Sequence, residues 1–144
     1  MKKIRIYEAG KMSGLTWEQM NGWRQEAADK ILDINQGQYN LCIENPCSYY
    51  NFEIDPESFS DHECKQFDLF LIQNCDIILV NLDFPDSIGT AIEIELASRF
   101  WNKPIIAFGT RKDVHPWMKL AVTKQCKTMN EAINHMFDFY FPNM

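Results

Sequence analysis

The stretch Asp76–Trp101 constrains this chain more than any other, because it reads as strand, turn and helix in immediate succession. Ile77–Val80 is a short apolar run with the length and β-branched content of a buried strand. A turn rich in Asp, Pro and Gly follows, and the spacing predicts a helix from near Thr90. With Ala91 at zero, Leu96, Phe100 and Ala97 fall at roughly 140°, 180° and 240° around that helix. Glu95, Ser98 and Arg99 cluster between about 340° and 80°, whereas Glu93 falls at about 200°, inside the apolar arc. A carboxylate aimed at the core costs free energy unless it is paired or put to use.

The flanking sequence repeats the same grammar. Lys3–Ala9 reads as a first strand, followed by the loop Gly10–Gly14 and a capping box, Thr16-x-x-Gln19, for a helix to about Asn35. Tyr39–Glu44 reads as a second strand ending at Asn45-Pro46, and Cys47–Phe59 as a loop over the site. Ser60-x-x-Glu63 caps a helix to about Asn74, Asp76–Asn81 is the third strand, and the helix 90–102 follows. Pro104–Phe108 is a strand, Gly109–Trp117 a loop, Ala121–Cys126 a last strand, and Thr128-x-x-Glu131 caps a helix to about Asp138. Strands alternating with capped helices predict a flavodoxin-like three-layer sandwich, with a parallel sheet of about five strands in a single domain, 1–144. In such sheets ligands sit beyond the carboxyl ends of the strands, so loops 10–14, 45–59 and 81–89 are expected to share the functional edge.

Composition narrows the function. The formal net charge is -6 and no basic run exceeds two residues, which argues against a nucleic-acid polymer as partner and makes a small ligand the expected one. The five cysteines are odd in number and lack CxxC or zinc spacing, as expected of small buried hydrophobes in a reducing compartment. The N-terminus enters a strand without an apolar leader, and no run is long enough to span a bilayer, which makes the cytoplasm the expected location. No P-loop, GxGxxG or metal-spaced His pair is present, so neither a cofactor nor a metal is expected.

Glu93 also has a bland reading: Thr90-x-x-Glu93 is a capping-box pattern, in which Glu93 would reach back to the Thr90 N–H. Asp68 has none of that kind. With Asp61 at zero it falls at about 340°, in an arc shared with Phe67, Leu71, Cys64 and Ile72, and it lies mid-helix. The alternative for Asp68 is a buried ion pair with a cation the sequence does not single out. Two inward acids on helices flanking one strand suit glycosidic chemistry, in which one attacks the anomeric carbon and the other manages the leaving group's proton.

Those residues carry a resemblance. Ile6–Gly14, Asp68, Asn81-Leu82-Asp83 and Ser87–Glu93 (SIGTAIE) together resemble the nucleoside 2-deoxyribosyltransferases, a superfamily shared with deoxynucleoside 5'-monophosphate N-glycosidases. The resemblance covers roughly residues 4–140. It implies that Glu93 is the nucleophile at C1' of deoxyribose, that Asp68 assists the base, and that Tyr7 orients the nucleophile. It further implies that Gly10 and Met12 form a loop against the ligand, that Gly89 opens the nucleophile helix, and that Asp86 or Ser87 lies near the 5' group. Lys11 replaces the family's usual proline, and His115-Pro116-Trp117 lacks the Asn or Ser expected in a segment completing a neighbouring subunit's site, leaving His115 a lesser binding candidate. The implied activity is deoxyribose transfer between bases through a Glu93 intermediate in a homo-oligomer, in the service of nucleotide salvage. The alternatives are a 5'-monophosphate N-glycosidase and a non-catalytic binder of a nucleotide derivative.

Overall fold

The computed structural model describes residues 1–49 and 60–144. Five strands, β1 (Lys3–Ala9), β2 (Asn40–Glu44), β3 (Ile77–Asn81), β4 (Ile105–Phe108) and β5 (Lys124–Cys126), form one sheet in the order β2-β1-β3-β4-β5. Every pairing is parallel. The chain therefore adopts the flavodoxin-like α/β architecture, with its switch in strand order between β1 and β3. Helices α1 (Trp17–Asn35), α2 (Asp61–Gln73), α3 (Ile88–Arg99), α4 (Pro116–Ala121) and α5 (Met129–His135) cover the two faces.

Strand periodicity divides the core in two. Ile4, Ile6, Ile77, Leu79, Ile106 and Phe108 meet Ala27 and Ile31 of α1 and Ala132 and Ile133 of α5. On the opposite face Tyr7, Ala9, Ile78, Val80, Ile105 and Ala107 meet Ile72 of α2, Ile94 and Ala97 of α3, and Met118 of α4. Both faces of β3 are buried along its whole length, which explains why Ile77–Val80 is continuously apolar instead of alternating.

Several expectations need correction. Helix α3 begins at Ile88, with Ser87 as its N-cap accepting from Thr90 N at 3.2 Å. Thr90 thus lies within the first turn and Glu93 well inside the helix, which removes the capping-box alternative for Glu93. The buried stripe of α3 is Thr90, Ile94 and Ala97, while Phe100 is 68% exposed, so Glu93 flanks the core stripe instead of sitting at its centre. Within the expected loop 109–117, residues 116 and 117 instead open the short helix α4, with Pro116 at its first position and His115 as its cap. Of the expected loop 47–59, residues up to Ser48 close a 3-10 turn, and residues 50–59 lie outside the described residues.

The terminal helix is also shorter than expected, giving way at Met136 to a π-type turn and then a 3-10 turn. Phe141 is buried in the α1–α5 core, with Phe137 and Tyr140 packed against it, and Phe139 faces outward. This aromatic tail folds onto its own sheet. Cys47, Cys75 and Cys126 are buried as expected, whereas Cys42 and Cys64 are partly accessible.

Candidate active site

The site is assembled by three elements at the carboxyl edge of the sheet. Tyr7 is on β1 beside Glu44 of β2 and Ile78 of β3, Glu93 projects from α3, and Asp68 from α2. Tyr7 is fully buried, and the charges of Glu93 and Asp68 both raise its phenol's pKa, after the larger effect of burial. Glu93 is likewise raised to about 8, first by burial and then by the negative charge of Asp68, against the opposing pull of the Tyr7 hydroxyl and the Arg24 guanidinium. These couplings bring Tyr7, Asp68 and Glu93 into one electrostatic cluster. The structure thus unites residues 7, 68 and 93 from three different segments.

Glu93 retains some solvent access as a residue, yet its Oε2 is sealed. The two facts differ because the accessible part is not the buried oxygen; the oxygen governs titration, so the carboxyl behaves as a buried acid. The Tyr7 hydroxyl is also sealed, and neither it nor Oε2 completes a well-aligned hydrogen bond among the described residues. The phenol nevertheless lies close enough to stabilise the Glu93 anion. The sealed Tyr7 hydroxyl and Glu93 Oε2, imperfectly satisfied among the described residues, are poised for a further partner.

The first loop is held from beneath. Arg24 of α1 is fully buried and donates through Nε to the Glu8 carbonyl at 3.3 Å and through Nη2 to the Gly10 carbonyl at 3.1 Å. A Cβ at Gly10 would come within 2.9 Å of Trp23 Cζ2, so packing of Trp23 already demands glycine there, independently of any ligand. Met12 is partly exposed on the same loop. Lys11 reaches across to Asp86 at 2.7 Å, tying the loop after β1 to the loop after β3. Asp86 is thereby an exposed ion-pair partner, its carboxyl held below the usual range by Lys11.

Ser87 spends its hydroxyl on capping α3, and a Cβ added at the exposed Gly89 would meet open space. His115 accepts from Trp117 N through Nδ1 at 3.1 Å, and its side chain faces a groove of about 1290 Å³ between α3 and α4. That groove also touches Asp86, Ser87, Ile88 and Leu120. The sequence candidates therefore form two groups, the cluster of Tyr7, Asp68 and Glu93 and the more exposed rim. Among the described residues no cluster of His, Cys, Asp and Glu could hold a metal, and no helix is long and apolar enough to cross a membrane.

Three charged residues escaped the sequence reading. Arg24 shares the inward stripe of α1 with Ala27 and Ile31, and Glu8 shares the inward parity of β1 with Ile4 and Ile6. The periodicity that singled out Glu93 and Asp68 would have found both. Glu44 is also buried, at the end of β2, where it pairs with Arg5 at 3.0 Å and accepts from the Tyr49 hydroxyl.

No family model matches the sequence, and no curated protein matches it. Solved structures do resemble it in shape. A conserved protein from Enterococcus faecalis V583 superposes with a TM-score of 0.80 at 11% identity, covering 95% of this chain and 99% of that one. A 2-deoxyribosyltransferase from Bacillus psychrosaccharolyticus gives 0.69 at 20% identity, covering 96% and 94%. A CMP N-glycosidase from Clostridium botulinum gives 0.57 at 18% identity, covering 95% and 99%. Two of these are of the kinds that the sequence resemblance named, and at such identities what they share with this chain is the fold: a flavodoxin-like sheet spanning nearly the whole length of each protein.

Proposed function

We propose that this protein cleaves the N-glycosidic bond of 2'-deoxynucleosides and passes the deoxyribose to another base through a covalent Glu93 intermediate. The observation that carries the reading is the convergence of Tyr7, Asp68 and Glu93 from β1, α2 and α3 beside the β1/β3 switch point. The likeness in fold to a 2-deoxyribosyltransferase supports it.

In the first step a carboxylate oxygen of Glu93 bonds to C1' as the C1'–N bond breaks, and the departing base nitrogen keeps the electron pair and takes a proton that the Asp68 carboxylate relays from solvent. In the second, an incoming base attacks C1', returns its proton to Asp68 and releases Glu93, so that two inversions give net retention. Tyr7 orients the nucleophile and favours its anion. Since burial holds Glu93 protonated up to about pH 8, the ionised fraction, and with it kcat/KM of the free enzyme, rises with pH through that range.

The deciding experiment incubates wild type and Glu93→Ala with each deoxynucleoside, with and without an acceptor base, and resolves products by chromatography. Base exchange by the wild type that disappears in the variant is expected. Undiminished exchange by Glu93→Ala eliminates the mechanism.

A second reading, a 5'-monophosphate N-glycosidase in which water is the acceptor, draws on the exposed amino end of α3. Gly89 stands in open space there and, among the described residues, Lys11 is held by the exposed Asp86, so a phosphate could take Lys11 as its partner. Faster turnover of monophosphates than of nucleosides, lost in Lys11→Met, selects this reading. In either case a second copy of the chain is the proposed occupant of the α3–α4 groove. Ile88, Trp117 and Leu120 are 81%, 78% and 83% exposed there, and the groove runs continuously to Ser87 on the nucleophile's helix. Light scattering on Leu120→Glu should report monomers where the wild type reports dimers or larger.

A further inference from the structure

Arg24 is the single buried basic side chain among the described residues. Its guanidinium lies 4.7 Å from the Trp23 ring centre, and besides the Glu8 and Gly10 carbonyls it donates to the Met20 carbonyl and to Cys47 Sγ at 3.7 Å. A buried arginine is costly unless its donors are satisfied, and here they are satisfied by backbone oxygens and a thiol, with no carboxylate paired to it among the described residues. Its positive charge is consequently not cancelled at contact. It is felt by groups on both faces of β1: Tyr7 and Glu93 on one, Glu8 and the Cys47 thiol on the other.

We propose that Arg24 is a positioning residue for the Glu93 site, fixing the end of β1 that bears Tyr7 and supplying the positive field in which the Glu93 anion forms. Its catalytic meaning rests on the glycosidic reading above; the electrostatic link does not. Two parts of the arrangement serve the role. The guanidinium fork spans the carbonyls on either side of Ala9, so the strand end and the first loop are set by one rigid group. The charge also opposes burial and the Asp68 anion, both of which disfavour ionised Glu93, and it acts alongside the Tyr7 hydroxyl.

The test uses 13C-glutamate-labelled full-length protein, with the Glu93 carboxyl signal assigned by its loss in Glu93→Gln and its midpoint read by NMR titration. Arg24→Met should raise the Glu93 midpoint by about one unit. That shift corresponds to a roughly tenfold loss of kcat/KM at neutral pH that is recovered at high pH. Arg24→Lys keeps a cation but cannot span both carbonyls. It should leave the midpoint within about 0.3 unit of wild type, move the amide signals of Gly10–Gly14, and raise KM several-fold with little change in kcat. A folded Arg24→Met with an unmoved Glu93 midpoint overturns the proposal. If Arg24→Met does not fold, Arg24→Lys decides: unmoved amides of Gly10–Gly14 overturn the proposal. A wild type inert towards every nucleoside and nucleotide refutes the glycosidic reading alone, since midpoint and amide shifts need no turnover.

Discussion

Glu93 and Glu8 are two buried carboxyls on opposite faces of one sheet, and burial lifts both to about 8. Their surroundings otherwise differ. Glu93 has a phenol and a second acid beside it, and its residue retains a path to solvent. Glu8 is wholly enclosed, and neither of its oxygens finds a hydrogen-bond partner among the described residues. A raised pKa thus marks burial in both places, and only the company of Tyr7 and Asp68, together with access, distinguishes a candidate nucleophile from a buried acid held neutral.

The comparison breaks most visibly at the candidate nucleophile itself. Glu93→Gln should reduce deoxyribosyl transfer or hydrolysis by about 1000-fold or more, measured by chromatography under saturating nucleoside. Asp68→Asn is expected to cost about 100-fold through loss of the proton carrier. Because the Asp68 anion raises Glu93, the same substitution should move the rising limb of the pH profile to lower pH. Tyr7→Phe sharpens the contrast by acting with the opposite sign. Losing the hydroxyl that favours the Glu93 anion should shift the limb to higher pH, with a loss of about tenfold at pH 7.

Glu8 is tested through stability. Its folded-state pKa is raised from 4.5 to about 8, so its contribution is fully present below about pH 4.5 and is lost as pH rises through 8. Glu8→Gln should therefore flatten the decline: between pH 5 and pH 8.5 the variant should lose roughly 4 kcal/mol less than wild type in urea unfolding. A variant that declines as steeply as wild type would assign the slope to other groups. The smallest effect is expected at Ser87→Ala, which removes the α3 cap for about 1 kcal/mol of stability.

The order of elements was largely legible because three of the helices announce themselves with a cap. Thr16, Ser60 and Thr128 each accept from the backbone N–H three residues on, as their spacing implied. The start of α3 was less legible because two competing cap patterns, at Ser87 and at Thr90, lie three residues apart, and packing of Ile94 and Ala97 against the sheet selects the earlier one. Helix α4 was hidden because it is only six residues long, too short to display a period; Pro116 and the His115 cap were its remaining signs.

By itself the sequence determined the face on which each acid lies, since a helix or strand period assigns a face to every residue once the element is recognised. Periodicity marks Glu93, Asp68, Arg24 and Glu8 alike as charged positions on buried faces. Only the tertiary structure decided which of them share a site, because strand order is a non-local property. Placing β1 between β2 and β3 brings Tyr7 beneath α3 and Glu8 against α1, and so gives one buried acid a phenol and a neighbour while enclosing the other.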